Sequence, residues 1–271
     1  MSDHPLDEAL RLAPLDVGRF SGRTTPEYWN MGGPFGGVTA ALVLKAVLDH
    51  PERRGRPVAQ TVNFCAAVGE GPFEIAARLV RDGRSTQHWQ VEMTQEGRGT
   101  VTTGSVVTGA ERQTWAHAAA APPQLPPPDA VPQMDTAGRN AWLSQYEFRV
   151  LEGRTDFQLE PPGEIASAAS RLWVRDRPER PLDYAALAAL ADTFIVRILL
   201  VRGYFVPVAT VSLSTYFLAD EAALARQGAR PLLGLADARA FRHGFADQSA
   251  ELWADNGTLL AVSHQVTWYR D

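Results

Sequence analysis

The sequence predicts an α+β fold made twice over: two tandem repeats, each a curled antiparallel sheet around one buried helix. Three observations predict it. Two helix-length apolar segments, Val38 to His50 and Leu182 to Leu200, are each followed by four strand-like segments separated by turn residues. Pieces of the two sets also match in letters: TVNFCAAV from Thr61 lies over TVSLSTYF from Thr210, and GTVTTGSVVT from Gly99 over GTLLAVSHQV from Gly257. A period of roughly 150 residues occurring twice indicates a duplicated domain, since solenoid repeats run about 20 to 50. Between the sets stands AAAAPPQLPPPDAVPQ, Ala118 to Gln133, with too little patterned apolar surface to fold and enough proline to act as a semi-rigid spacer. The expected division is 1–117, a linker over 118–139, and 140–271.

Taken in order, residues 8–22 read as one or two short strands, and Tyr28 and Trp29 lead into the glycine-rich NMGGPFGG, Asn30 to Gly37. Val38 to His50 consists of helix formers and is stopped by Pro51. Strands are expected over Val58–Val68, Phe73–Arg81, Ser85–Gln95 and Thr100–Thr108, separated by GEGP, RDGR and EGRG. Beyond the linker come strands over Tyr146–Leu151 and Ser170–Val174, then one continuous helix over Leu182–Leu200. Val208–Leu218, Leu232–Phe241, Ser249–Ala254 and Leu259–Tyr269 close the chain as strands. A helix apolar all round needs burial, and a curled sheet covers it most simply.

Composition narrows the function. With 45% hydrophobic and 21% charged residues the chain is an ordinary globular one, and its formal net charge of −5 provides no basic field for nucleic acid or an anionic membrane. The start, MSDHPLDEALRL, has neither a positive flank nor an apolar core, and the lone Cys65 cannot form an internal disulfide, so a cytoplasmic location is expected. Arg197 interrupts FIVRILLV, and no run approaches the ~18 apolar residues of a membrane span. His88 and His243 stand singly, no Cys/His cluster exists, and no metal is expected.

One residue is anomalous. In YAALAALADTFIVRILL, Tyr184 to Leu200, Asp192 sits in the middle of an apolar run. A buried carboxylate has to be paired, protonated or open to a cavity. On composition alone a frayed, solvated helix end is the better account. Alternation places Thr210 with Ser212 and Ser214, and Gln265 with Ser263 and Thr267, on polar strand faces of the kind normally solvated. His264 falls on the other face among Val262, Val266 and Trp268 and is expected in the core, as is Cys65. GGPFGG lacks the ending of a phosphate-binding loop, so its expected role is close backbone approach, either to the other half's helix or to a bound substrate.

The entry GGPFGGV (Gly32 to Val38), the strand–turn–strand RLVRDGRSTQHWQVEMTQEG (Arg78 to Gly97) and the pieces LADTF, ATVSLSTYF and AVSHQ resemble the tandem-hotdog acyl-CoA thioesterases of the acyl-CoA thioesterase II type. The likeness spans most of the chain except the linker and residues 134–170. It implies a double hotdog fold, acyl-CoA as substrate, no cofactor, and hydrolysis to a free carboxylic acid and CoA. It also implies a catalytic Asp on the second helix, a Thr or Ser on the strand after it and a Gln on the last strand. Carried over position by position, these fall on Asp192, Thr210 and Gln265, with Ser212 as an alternative hydroxyl. Glycine and valine occupy the matching region of the first half, which implies one site per chain. Asp192 would be the general base on a water held by Thr210 and Gln265, with an oxyanion donor at a backbone N–H near Gly36 or Gly37. Hotdogs usually associate, so a homodimer or tetramer is expected. Two other functions fit the fold. A hotdog enoyl-CoA hydratase pairs its Asp with a His on one helix, where this chain has Ala188 and Val196; a non-catalytic acyl-CoA-binding protein would keep the fold without turnover.

Overall fold

The computed structural model describes residues 4–156 and 167–270. Its first half contains α1 (Pro5–Ala9), β1 (Ala13–Asp16), β2 (Arg19–Arg23), α2 (Gly36–Leu48), β3 (Arg56–Phe64), β4 (Pro72–Asp82), β5 (Thr86–Gln95) and β6 (Gly99–Gly109). The second half contains β7 (Tyr146–Glu152), β8 (Ser170–Asp176), α3 (Tyr184–Leu190), α4 (Arg197–Arg202), β9 (Val208–Phe217), α5 (Glu221–Gln227), β10 (Leu232–Asp237), β11 (Phe241–Arg242), β12 (Phe245–Trp253) and β13 (Leu259–Tyr269). The short α1 and α5 were not anticipated; α5 is capped by Asp220, whose side chain accepts from the Ala223 amide.

The described strands form one antiparallel sheet in the order β1-β2-β4-β5-β6-β3-β9-β13-β12-β10-β8-β7, with β11 paired to β12. From the β3–β9 seam outward the halves mirror each other: β3-β6-β5-β4-β2-β1 on one side, β9-β13-β12-β10-β8-β7 on the other. At the seam Thr61 pairs with Ser214, their hydroxyl oxygens 2.8 Å apart. Each seam strand also has a β-bulge against its neighbour, between Pro57 and Ala59 in β3 and between Thr210 and Ser212 in β9. Aligning the halves on these bulges sets Thr210 against Pro57 and Gln265 against Val106. The letter match of Thr61 with Thr210 is therefore four residues out of structural register, and Thr61 corresponds to Ser214.

The core lies between helices and sheet. α2 is buried along most of its length, and α3, capped by Asp183 on the Ala186 amide at 2.8 Å, is buried throughout. Alanines in α3 and glycines in α2 let the two helices pack closely: a Cβ on Gly37 would stand 2.5 Å from the Ala189 carbonyl oxygen.

The expected continuous helix over Leu182–Leu200 is broken. α3 ends at Leu190, residues 191–196 form a loop, and α4 begins at Arg197. The reason is local. The Asp192 and Thr193 amides bond three residues back, to Ala189 and Leu190, tightening the last turn, and the Thr193 hydroxyl donates to the same Leu190 carbonyl at 2.8 Å. The β-branched Thr193, Ile195 and Val196 then disfavour resumption. Arg197, 1% exposed, donates to the carbonyl of Ile195 and to Gln248, Ser170 and the Ala168 carbonyl, fixing the loop to β8 and β12.

The linker is extended apart from a 3-10 turn at Pro128–Ala130. Its second part lies on the outer face of the second half, where Trp173 donates from its indole to the Pro126 carbonyl at 3.0 Å and packs in a small cluster with Val131, Leu233 and Trp253.

Candidate active site

The loop after α3 brings Asp192 to the start of α2, against the inner face of β13. Its carboxylate accepts a hydrogen bond from Gln265 Nε2 at 2.6 Å, and Gln265 Oε1 accepts one from the Thr210 hydroxyl at 3.2 Å. The three residues selected from the sequence are thus joined in one chain of contacts. The β9 bulge makes this possible. Without it Thr210 would share the outer face with Ser212; with it, Thr210 pairs with the buried Thr267 while Ser212 pairs with the exposed Val266. Ser212, the alternative hydroxyl, lies on the wrong side of the sheet.

Asp192 is 8% exposed, and among the described residues no cation stands within ion-pair distance. Burial pushes its pKa from 3.8 up to about 7, while the Gln265 hydrogen bond and the Gly37 backbone amide pull the other way. A Cβ on Gly36 would lie 2.6 Å from Asp192 Oδ2. The glycine pair therefore serves close approach to the other half's helix, and the Gly37 amide, expected as an oxyanion donor, is occupied with the carboxylate. Arg197 does not neutralise Asp192: burial lowers its own pKa to about 10, and its hydrogens go to the loop and the sheet.

The faces of β13 are reversed from expectation. Ser263, Gln265 and Thr267 are buried, whereas His264, Val266 and Trp268 are exposed, so His264 is a surface residue and not a core one. The polar residues face inward because a helix end, with its free carbonyls, lies there in place of water: Ser263 donates to the Ala191 carbonyl at 3.2 Å, next to Gln265 on Asp192. Cys65 is also exposed, since β3 ends one residue before it.

A cavity of about 290 Å³ opens beside the carboxylate. Asp192, Thr210 and Gly36 line it, together with the apolar Phe35, Met134, Trp142, Phe194, Ile195 and Leu199. Met134 comes from the end of the linker and Trp142 from just after it, a stretch that lacks periodicity; the sequence marks it only by an aromatic residue in polar surroundings. Among the described residues no group of three or more His, Cys, Asp and Glu side chains can hold a metal ion.

A buried carboxylate raised to neutral pH, held by an amide and opening on an apolar cavity of a doubled hotdog scaffold, belongs to the class of hotdog hydrolases. Family models described as acyl-CoA thioesterase N-terminal domain and acyl-CoA thioesterase C-terminal domain match residues 25–109 and 121–269. The chain belongs to the acyl-CoA thioesterase family, and it is a thioester hydrolase acting on acyl-CoA. Among solved structures it is similar to a hot-dog-fold protein of unknown function from Alicyclobacillus acidocaldarius, at 43% identity over 100% of this chain and 99% of that one, with a TM-score of 0.93. A putative thioesterase II from Thermobifida fusca is 21% identical over 100% and 99%, with a TM-score of 0.82. An acyl-CoA thioesterase II from Mycobacterium marinum is 21% identical over 98% of each chain, with a TM-score of 0.75. These last two show the shared fold. Among curated proteins none matches the sequence.

Proposed function

We propose that Asp192 is the general base of acyl-CoA hydrolysis, deprotonating a water that attacks the thioester carbonyl, with Thr210 and Gln265 orienting base and water. The observation that carries this reading is the Asp192–Gln265–Thr210 chain of hydrogen bonds around a carboxylate whose pKa lies at about 7. A base titrating near the working pH combines a useful ionised fraction with enough basicity to take a proton from water. Thr210 donates its hydrogen to Gln265, so its oxygen lone pairs remain to accept from the water. The proton taken by Asp192 passes on to the departing thiolate of CoA. With the Gly37 amide on the Asp192 carboxylate and the Thr39 amide on the Phe35 carbonyl, the Gly36 amide at the start of α2 is a backbone donor left to receive the developing oxyanion.

The test is purified protein with a panel of acyl-CoA chain lengths and a free-thiol readout, beside Asp192→Asn. Loss of kcat by about 10² to 10⁴-fold in a folded variant is expected. A folded variant that keeps most of the rate removes Asp192 as the base, and absence of thiol from every substrate favours acyl-CoA binding without turnover. We also infer a cytoplasmic role in lipid metabolism for a homodimer or tetramer. In support of assembly, Phe245, Val266, Trp268 and Val211 are exposed on β12, β13 and β9, with Phe245 directly opposite Trp268. Light scattering on the purified chain checks this: a strictly monomeric mass would refute it.

A further inference from the structure

Asp192 stands one residue beyond Ala191, the cap of α3, where the carbonyls of a helix end have no partner within the helix. The Ala191 carbonyl finds one outside it. Ser263 on β13, 4% exposed, donates its hydroxyl hydrogen to that oxygen at 3.2 Å. The peptide unit joining Ala191 to Asp192 is planar, so its oxygen, its N–H and the Asp192 Cα move as one body. The N–H end bonds back into the same turn, to the Ala189 carbonyl at 3.1 Å. The oxygen end is the one tied to the sheet.

The Asp192 side chain is tied to the same strand, through Gln265 Nε2 on its carboxylate at 2.6 Å. Ser263 and Gln265 are two residues apart and both buried, so they share the inner face of β13 at a spacing of roughly 7 Å. One strand therefore holds Asp192 twice, by the peptide in front of it and by its carboxylate. The first half has neither tie. With the halves aligned on their bulges, Gly104 stands against Ser263 and Val106 against Gln265, and α2 carries no acid. A Cβ on Gly104 would lie 2.7 Å from Val43, so that position is given over to helix packing. The hydroxyl occurs in the half that has the carboxylate. It does not line the cavity beside Asp192.

We propose that Ser263 is a positioning residue for the hydrolysis: by holding the Ala191–Asp192 peptide plane against β13 it aims the carboxylate at Gln265 and at the attacking water. It acts through Asp192 and touches no substrate, and the proposal rests on the reading of Asp192 as the general base. Misplacing a reacting group by about 1 Å can cost on the order of 10²-fold. Loss of one of two ties is expected to cost about tenfold, in kcat and not in KM.

The experiment measures kcat and KM by free-thiol release, with the acyl-CoA that the wild-type protein turns over fastest, in Ser263→Ala, Ser263→Thr, Gln265→Val and the Ser263→Ala/Gln265→Val double variant. Ser263→Ala, folded by circular dichroism, is expected to lose about tenfold in kcat with KM within about twofold of wild type. Ser263→Thr keeps the hydroxyl and should hold kcat within about threefold. On the Gln265→Val background, where the carboxylate has already lost the partner it is aimed at, Ser263→Ala should cost less than about threefold. Full kcat in Ser263→Ala, a loss confined to KM, a Thr variant as slow as Ala, or an equal loss on both backgrounds overturns the proposal. Thr108→Val is the stability control. It removes a buried hydroxyl of the first half that bonds Trp89 and Gln87, and should lower the melting temperature with kcat unchanged; a tenfold fall in kcat there would assign the Ser263 effect to stability and overturn the positioning role. Full activity in Asp192→Asn overturns the base reading instead. Should Ser263→Ala fail to fold, Ser263→Cys, which keeps a weaker donor, is read by the same comparison on the two backgrounds.

Discussion

The two halves share a strand order, a central helix and even a bulge in the seam strand, yet differ around the candidate site. α2 runs GGVTAALVLKAVL without an acid, whereas the loop after α3 carries Asp192. Against Gln265 the first half has Val106, fully buried, and against Thr210 it has Pro57. Against Ser263, which holds the end of α3, it has Gly104, whose missing side chain leaves room for Val43. Duplication has let one copy devote its inner face to packing and the other to a site. The packing copy is not idle, because Gly36 and Gly37 at the start of its helix form part of the wall and electrostatics around Asp192.

That contrast can be broken by exchange. The largest effect belongs to Asp192→Asn, as stated above. Next comes Gln265→Val, which gives the second half the residue of the first. It removes a charge-assisted hydrogen bond and leaves the carboxylate buried with less support, so kcat should drop on the order of 10 to 100-fold. Because that bond lowers the Asp192 pKa, the acid limb of the kcat profile, near pH 7 in the wild-type protein, should move to higher pH. The reverse exchange, Val106→Gln, buries an amide and should reduce stability by ~1–3 kcal/mol while leaving kcat per folded molecule unchanged. A rate change there would show that the halves are coupled beyond the shared glycines. Smaller again is Gly36→Ala. Its methyl would meet Asp192 Oδ2 at 2.6 Å and displace it, for a loss on the order of tenfold. Gly32→Ala, with nothing within 4 Å of its Cβ position, is the control that should retain the rate.

The sequence carried the fold at the level of element order and failed at places where tertiary contacts override local pattern. Both apolar segments and the strands after them are legible because the first are helix-length apolar runs and the second are bounded by turn residues. The break after Leu190 is not, since YAALAALADTFIVRILL keeps its apolar character across a turn made by Thr193 and held by Arg197. Asp192, Thr210 and Gln265 were singled out from LADTF, ATVSLSTYF and AVSHQ by resemblance, and the structure brings the three together. Alternation alone would have left Gln265 in water, because a period of two does not reveal what lies over each face. His264 was misplaced for the same reason. The bulge that turns Thr210 inward has no letter of its own, and the cavity wall from Trp142 sits in a segment without periodicity.

The smallest expected effect concerns stability, and its sign follows from the buried charge. Asp192 binds its proton more tightly in the folded chain, at about pH 7, than in the unfolded one, near pH ~4. Between those values the unfolded state carries fewer protons, so stability falls as pH rises through the window and stays lowered above it. Asp176, 4% exposed and likewise raised to about 7 by burial against the opposing pull of Arg180, adds a second fall of the same sign. Asp192→Asn removes only the first. The asparagine oxygen can still accept from Gln265, and no charge has to be buried. A rise from 3.8 to about 7 corresponds to ~4 kcal/mol at most for the charged form. Asp192→Asn should therefore melt on the order of 5 °C higher than wild type at pH 8, with the gain vanishing by about pH 4. Calorimetry across that range checks it. A gain independent of pH would mean that the carboxylate is not carrying its charge in the folded protein. No gain at all would mean that the cost of burying Asp192 is met elsewhere, for instance by the α2 terminus of the half that lacks it.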